Sequence, residues 1–176
     1  MVIRPAALRR LSRCAAAAAV AALAVSLPAQ MAPGKAFPPL SAAGLTGGTL
    51  PDTAGKVVIV DFWASWCAPC RASFPAYSRI QAQYASRGLV VVAVSVDDSA
   101  DPYSAFIAKM KPGFATLLDS KHALVADVQV PTMPTSYLLD RSGKVRFMHP
   151  GFHGDRTVDE LNKEITALLA EPPPAP

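Results

Sequence analysis

The chain has 176 residues, 51% of them hydrophobic, enough for one well-buried domain and too few for two ordinary ones. Its net charge of +4 is local: Arg4, Arg9, Arg10 and Arg13 precede the first apolar run, and setting them aside leaves 13 basic against 13 acidic residues. A near-neutral body gives no basis for neutralising phosphates, so no nucleic-acid partner is expected.

Residues 1–32 have the parts of a secretory signal: a basic stretch to Arg13, an apolar run from Cys14 to Leu27, and small residues from Pro28 to Ala32. The apolar run holds 14 residues, short of the roughly 20 that span a bilayer as a helix. Cleavage near Ala29 or Ala32 is therefore expected in preference to a retained anchor, by either the general or the twin-arginine route. Cys14 precedes the apolar run, the wrong order for a lipid-modified N-terminus, and leaves with the signal. Cys67 and Cys70 are then the only cysteines of the mature chain. A domain stapled by disulfides would spread more of them along its length.

Residues 33–54 are rich in Pro, Gly, Ala and Ser and read as an extended lead-in, with room for one short hairpin at Gly47-Gly48. The domain proper is expected over 55–171. Val57 to Phe62 is a β-branched run suited to a strand covered on both faces. A helix follows from Cys67 to about Ser86, with Phe74, Tyr77, Ile80 and Tyr84 near one face and Pro75 inside it. A second apolar strand, Leu89–Val96, implies parallel pairing through a right-handed crossover. It ends in Asp97-Asp98-Ser99, a turn-forming and helix-capping cluster. Next come a helix from about Pro102 to Met110, a strand at Ala115–Leu118, a helix from about His122 to Val128, and a hairpin over Tyr137–Phe147 turning at Gly143. Thr157 and Glu160 form a capping box for a last helix with Leu161, Ile165, Leu168 and Leu169 on one face. Residues 172–176, Pro-rich, cannot continue it.

Cys67 and Cys70, three apart at a strand-to-helix junction, carry the chemistry. A helix N-terminus offers unpaired N–H groups and the positive end of the dipole, which favours thiolate over thiol. In such motifs the first cysteine titrates at roughly 3.5 to 7 instead of about 8.5. Cys67 is thus the expected nucleophile toward a disulfide, and Cys70 the residue that resolves the mixed disulfide. Pro69 in the first turn costs the helix little and fixes the loop. The alternatives for the pair are a permanent disulfide and half of a metal site. Asp61 is a carboxyl in a strand apolar enough to desolvate it and raise its pKa.

The run Val60-Asp61-Phe62-Trp63-Ala64-Ser65-Trp66-Cys67-Ala68-Pro69-Cys70, with Pro75 five residues on, resembles the active-site stretch of thioredoxin. The chain from about 36 to 170 is similar to the exported TlpA-like and ResA-like branch of the thioredoxin-like superfamily, to which redoxins of the AhpC/TSA kind are also related. The resemblance implies an α/β thioredoxin-like fold: a central mixed sheet flanked by helices, with a strand and helix inserted centrally. It implies that Pro134 is the cis-proline facing the cysteines, with Pro131 as competitor. Met133, Pro134, Trp66, Ala68 and Pro69 would contact a substrate strand, and Asp61 would handle the proton of Cys70. It further implies thiol-disulfide exchange on protein disulfides, by a monomer without cofactor or resident metal. The site would lie in the bacterial periplasm or at the outer face of a membrane, supplied with electrons by a membrane partner.

Two positions depart from that branch. Ser73 stands where many members have glutamate, and Thr135 follows Pro134 where cytochrome c maturation members have glutamate. Proton handling then falls to Asp61 or is absent, and a haem-thiol role is weakened. Ala68-Pro69 contains no histidine of the kind that stabilises the thiolate in strong oxidants, which favours a reductase over a thiol oxidase or isomerase. A copper metallochaperone would need His122, His149 or His153 beside the cysteines, at separations that fit no compact metal motif. A peroxidase of the Pro-x-x-x-Thr-x-x-Cys type is opposed by Val60 and Ala64.

Overall fold

A computed structural model describes residues 30–173; most of the segment expected to be a signal, and the end of the Pro-rich tail, lie outside the described residues. Five strands form one sheet: β1 (Val57–Trp63), β2 (Leu89–Ser95), β3 (Ala115–Leu118), β4 (Thr135–Leu139) and β5 (Val145–Pro150). Four helices connect or close it: α1 (Ala68–Tyr84), α2 (Ala100–Met110), α3 (Ala123–Val128) and α4 (Asp155–Ala170). The strand order is β3-β2-β1-β4-β5, with β1 central. β1 pairs parallel to β2 and antiparallel to β4, so the sheet is mixed. β2 also pairs parallel to β3, which reaches the edge through α2 as the inserted strand and helix.

Every residue of β1 is buried, which is why the segment reads as a continuous apolar run. Alternate side chains serve two layers. Val58, Val60 and Phe62 join Val92, Val94, Tyr137 and Leu139 on one face. Val57 and Ile59 face α1 and α4, meeting Tyr77, Ile80, Leu161 and Ile165. Trp63 continues that face toward the start of α1, packing its ring 4.8 Å from Phe74 and 4.5 Å from Phe106.

Three sequence expectations change. No hairpin forms at Gly47-Gly48; the lead-in instead lies across the Phe62 face and pairs with both sheet edges, Ala36 bridging Lys144 and Thr46 bridging Leu118. Met31, Phe37 and Leu40 anchor it in the core, and the Met31 N–H bonds the Val128 carbonyl at 3.1 Å. A Cβ at Gly48 would collide with the Thr116 carbonyl, so Gly48→Ala is expected to cost about 1–3 kcal/mol, read as a lower urea midpoint.

The last helix begins at Asp155, two residues before the expected cap. Thr157, already inside the first turn, accepts the His153 N–H at 3.0 Å. The acidic cluster after β2 does not cap α2 either, since Ser99 makes no side-chain cap bond there. Asp119 does that work for α3, accepting the N–H groups of Ala123 and Val125 at 3.0 and 2.9 Å.

Candidate active site

The carboxyl end of β1 runs directly into the two cysteines. Cys67 is the N-cap of α1 in extended backbone (φ −84°, ψ 110°), and its sulfur accepts the Cys70 N–H at 3.2 Å. The two are joined as a disulfide. Pro69 sits in the first turn, where its missing N–H costs no helical bond. The cysteines are unequal in access: Cys67 keeps a sliver of exposure at 5%, while Cys70 is fully buried. An incoming sulfur can therefore reach only Cys67. The helix end that would favour its thiolate is the one on which it sits.

An exposed rim lies beside Cys67. Trp66 is 69% exposed, the one large hydrophobic side chain so placed among the described residues, and Ala68 and Pro69 beside it are also exposed. Trp63 is wholly buried, so the two tryptophans divide into core and rim. The Met133–Pro134 peptide is cis and the one before Pro131 is not. Met133 packs on the cluster that contains both cysteines. Pro134 opens onto β4, and its carbonyl accepts the Gly151 N–H at 2.7 Å.

Asp61 lies on the α1 face, between Ile59 and Trp63, and is fully buried. Neither carboxyl oxygen has a hydrogen-bond partner. Burial drives its pKa well above the ordinary carboxylate value, and the nearby Ser136 and Tyr77 hydroxyls offset only part of that rise. Those hydroxyls bond each other at 2.6 Å. Ser73 is spent structurally, its hydroxyl donating to the Cys70 carbonyl at 2.9 Å, so it supplies no acid or base.

Asp97 is a site residue that the sequence pattern missed. It is 2% exposed, and its carboxylate accepts the Ser65 N–H at 3.2 Å, the Ser65 hydroxyl at 2.8 Å and the Ser95 hydroxyl at 2.7 Å. It ties the end of β2 to the loop that carries Trp66 and Cys67. The only local signal was an acidic residue at the carboxyl end of a central parallel strand, where sites in such sheets collect. Asp97→Ala leaves three donors unmatched and is expected to lower stability by about 2–4 kcal/mol, measured by denaturant unfolding, and to loosen the loop enough to slow turnover.

The three histidines do not converge on the cysteines. His122 Nε2 is 3.0 Å from the Val96 carbonyl. His149 Nε2 is 2.7 Å from Glu164, and its Nδ1 is 3.6 Å from Glu160. His153 sits over Gly151 at the end of β5.

Comparison with known proteins agrees with this geometry. The thioredoxin-like protein YneN of Bacillus subtilis is 38% identical over 123 residues, covering 67% of this chain and 71% of that one. The thiol-disulfide oxidoreductase ResA of Oceanobacillus iheyensis is 34% identical, covering 69% of this chain and 62% of that one. The crystal structure of a Chlorobium tepidum protein assigned as a thiol:disulfide interchange protein, DsbE, superimposes with a TM-score of 0.73 at 36% identity, covering 80% of this chain and 100% of that one. With the AhpC/TSA family matching residues 33–148, about two thirds of its length, the chain belongs to that family.

Proposed function

We propose that this protein reduces protein disulfides outside the cytoplasm, through the Cys67–Cys70 couple alone. The protein is a thiol-disulfide oxidoreductase, as its relatives are named. The observation that carries the mechanism is the inequality of the two sulfurs, one at a helix N-terminus with a path to solvent and one sealed beneath it.

In the reduced protein the Cys67 thiolate attacks one sulfur of a substrate disulfide. A Cys67–substrate bond forms, and the other substrate sulfur leaves with the bonding electron pair as a thiolate, which takes a proton from solvent. Cys70 then gives its proton to Asp61 and attacks the Cys67 sulfur. The Cys67–Cys70 bond closes, and the second substrate sulfur leaves carrying the remaining electron pair. The substrate has gained two electrons and the couple has lost two. Asp61 suits the proton step because in its ionised form its raised proton affinity lets it take a proton from a thiol. Trp66, Ala68, Pro69, Met133 and Pro134 supply the exposed rim against which a substrate strand lies.

Among the described residues no helix is long and apolar enough to cross a membrane. We place export with residues 1–29 and cleavage after Ala29, since cleavage after Ala32 would remove Met31 from the core. The protein works as a monomer, and a membrane partner returns the electron pair to the oxidised couple. Capture tests the reading. Cys70→Ser expressed with its signal is expected to hold disulfide-linked proteins outside the cytoplasm, released by dithiothreitol; a variant that traps none, with Cys67 free and reactive, overturns it.

A further inference from the structure

On the sheet face under α1 and α4, the polar side chains of β1, β4 and β5 fall along one line. Asp61 of β1 pairs in register with Ser136 of β4, and Ser136 with His149 of β5. Two residues along the same strands stand Ile59, Leu138 and Phe147, all in the apolar cluster beneath the two helices. On the opposite side of Asp61 is Ala93 of β2, buried in the cluster with Trp63 and Phe74. Every direction from Asp61 within the sheet is therefore apolar except the one toward β4. Two buried hydroxyls occupy it, Ser136 from the strand and Tyr77 from α1. The next charged groups are one strand further out, where His149 is held by Glu164 and Glu160.

We propose that Tyr77 and Ser136 are positioning residues for Asp61, a two-hydroxyl chain that turns a proton toward the carboxylate whenever Asp61 ionises. The stoichiometry supports it. Two hydroxyls carry two donor hydrogens, their mutual bond uses one, and one is left over. When Asp61 is protonated the pair is satisfied by its own bond. When Asp61 is charged, the phenol donates to the Ser136 oxygen and the Ser136 hydrogen swings onto the carboxylate. An isolated carboxylate in this environment would not ionise at all; with a donor poised beside it, Asp61 can both release and recover a proton. Both hydroxyls act on the side away from Ala93 and Trp63, so no substrate contact is involved. The inference rests on the reading of Asp61 as the proton acceptor of Cys70, and the experiment separates the two.

The carboxyl carbon of Asp61 is followed by NMR against pH in the oxidised full-length protein, with Asp61→Asn for assignment. In parallel, the rate at which the reduced protein closes the Cys67–Cys70 bond on mixing with oxidised glutathione is measured against pH. Tyr77→Phe and Ser136→Ala are each expected to raise the proton affinity of Asp61 by about tenfold, the effect of one lost hydrogen bond to a charged group. The limb of the rate profile assigned to Asp61 moves to higher pH with it. Ser136→Thr, which keeps a hydroxyl, restores both curves. Tyr84→Phe, which loses a hydroxyl on the same helix, changes neither. An Asp61 titration that stays in place in both Tyr77→Phe and Ser136→Ala overturns the proposal. A titration that moves while the rate limb stays supports the hydroxyl pair and overturns the role of Asp61 toward Cys70.

Discussion

Cys67→Ser is expected to abolish disulfide reduction, by ~10³ or more, because the serine hydroxyl is not ionised at neutral pH and Cys70, the other cysteine among the described residues, is buried too completely to take its place. Cys70→Ser behaves differently. It retains the first attack and stops at the mixed disulfide, so it gives a stoichiometric burst of one substrate thiol and no turnover. Insulin-disulfide reduction followed by released thiol distinguishes the two. Equal loss of the burst in both variants would mean that Cys70 attacks too, against its complete burial.

Asp61→Asn is expected to make the protein more stable and less active. The wild-type carboxyl is buried without a hydrogen-bond partner, and its folded-state pKa is raised, chiefly by desolvation. The folded chain therefore keeps a proton that the unfolded chain gives up above the ordinary carboxyl value of 3.8. The contribution to stability is full below that pH and is lost progressively as pH rises toward the folded-state value. At neutral pH the amide, which cannot ionise, avoids this loss, a gain of about 1.4 kcal/mol for each pH unit by which the folded carboxyl's titration is displaced above the unfolded one's. Urea unfolding at a series of pH values checks the sign: the variant should gain on the wild type as pH rises from about 4, where the unfolded carboxyl begins to ionise. Parallel curves would show that Asp61 titrates alike in the folded and the unfolded chain, against its burial. Turnover at neutral pH should fall in the same variant, because Cys70 loses its proton acceptor.

Much of this architecture was legible from local pattern. Val57 to Phe62 and Leu89 to Ser95 are strands because their β-branched runs are short and nearly uninterrupted, and Ala115 to Leu118 is a short, mostly apolar run. The Cys67–Cys70 spacing, directly after one such run and ahead of a helical pattern, is enough to put the reactive pair at a helix end. What the pattern hid depends on residues distant in sequence. The lead-in has no periodicity because it is held by backbone pairing at two sheet edges and a few anchors such as Phe37. Asp97 read as a cap because its partner Ser65 lies 32 residues away. Tyr77 read as one more core aromatic of α1. Its hydroxyl matters only through Ser136, 59 residues on, once the strand order puts β4 beside β1.

The reductive direction is the central claim, and the reduction potential of the Cys67–Cys70 couple tests it most directly. Equilibration of the purified protein against dithiothreitol buffers, with the oxidised fraction read by alkylation and mass, should give a value toward that of thioredoxin, about −270 mV. A value near the strong-oxidant end, about −120 mV, would contradict the account and make the protein a donor of disulfides.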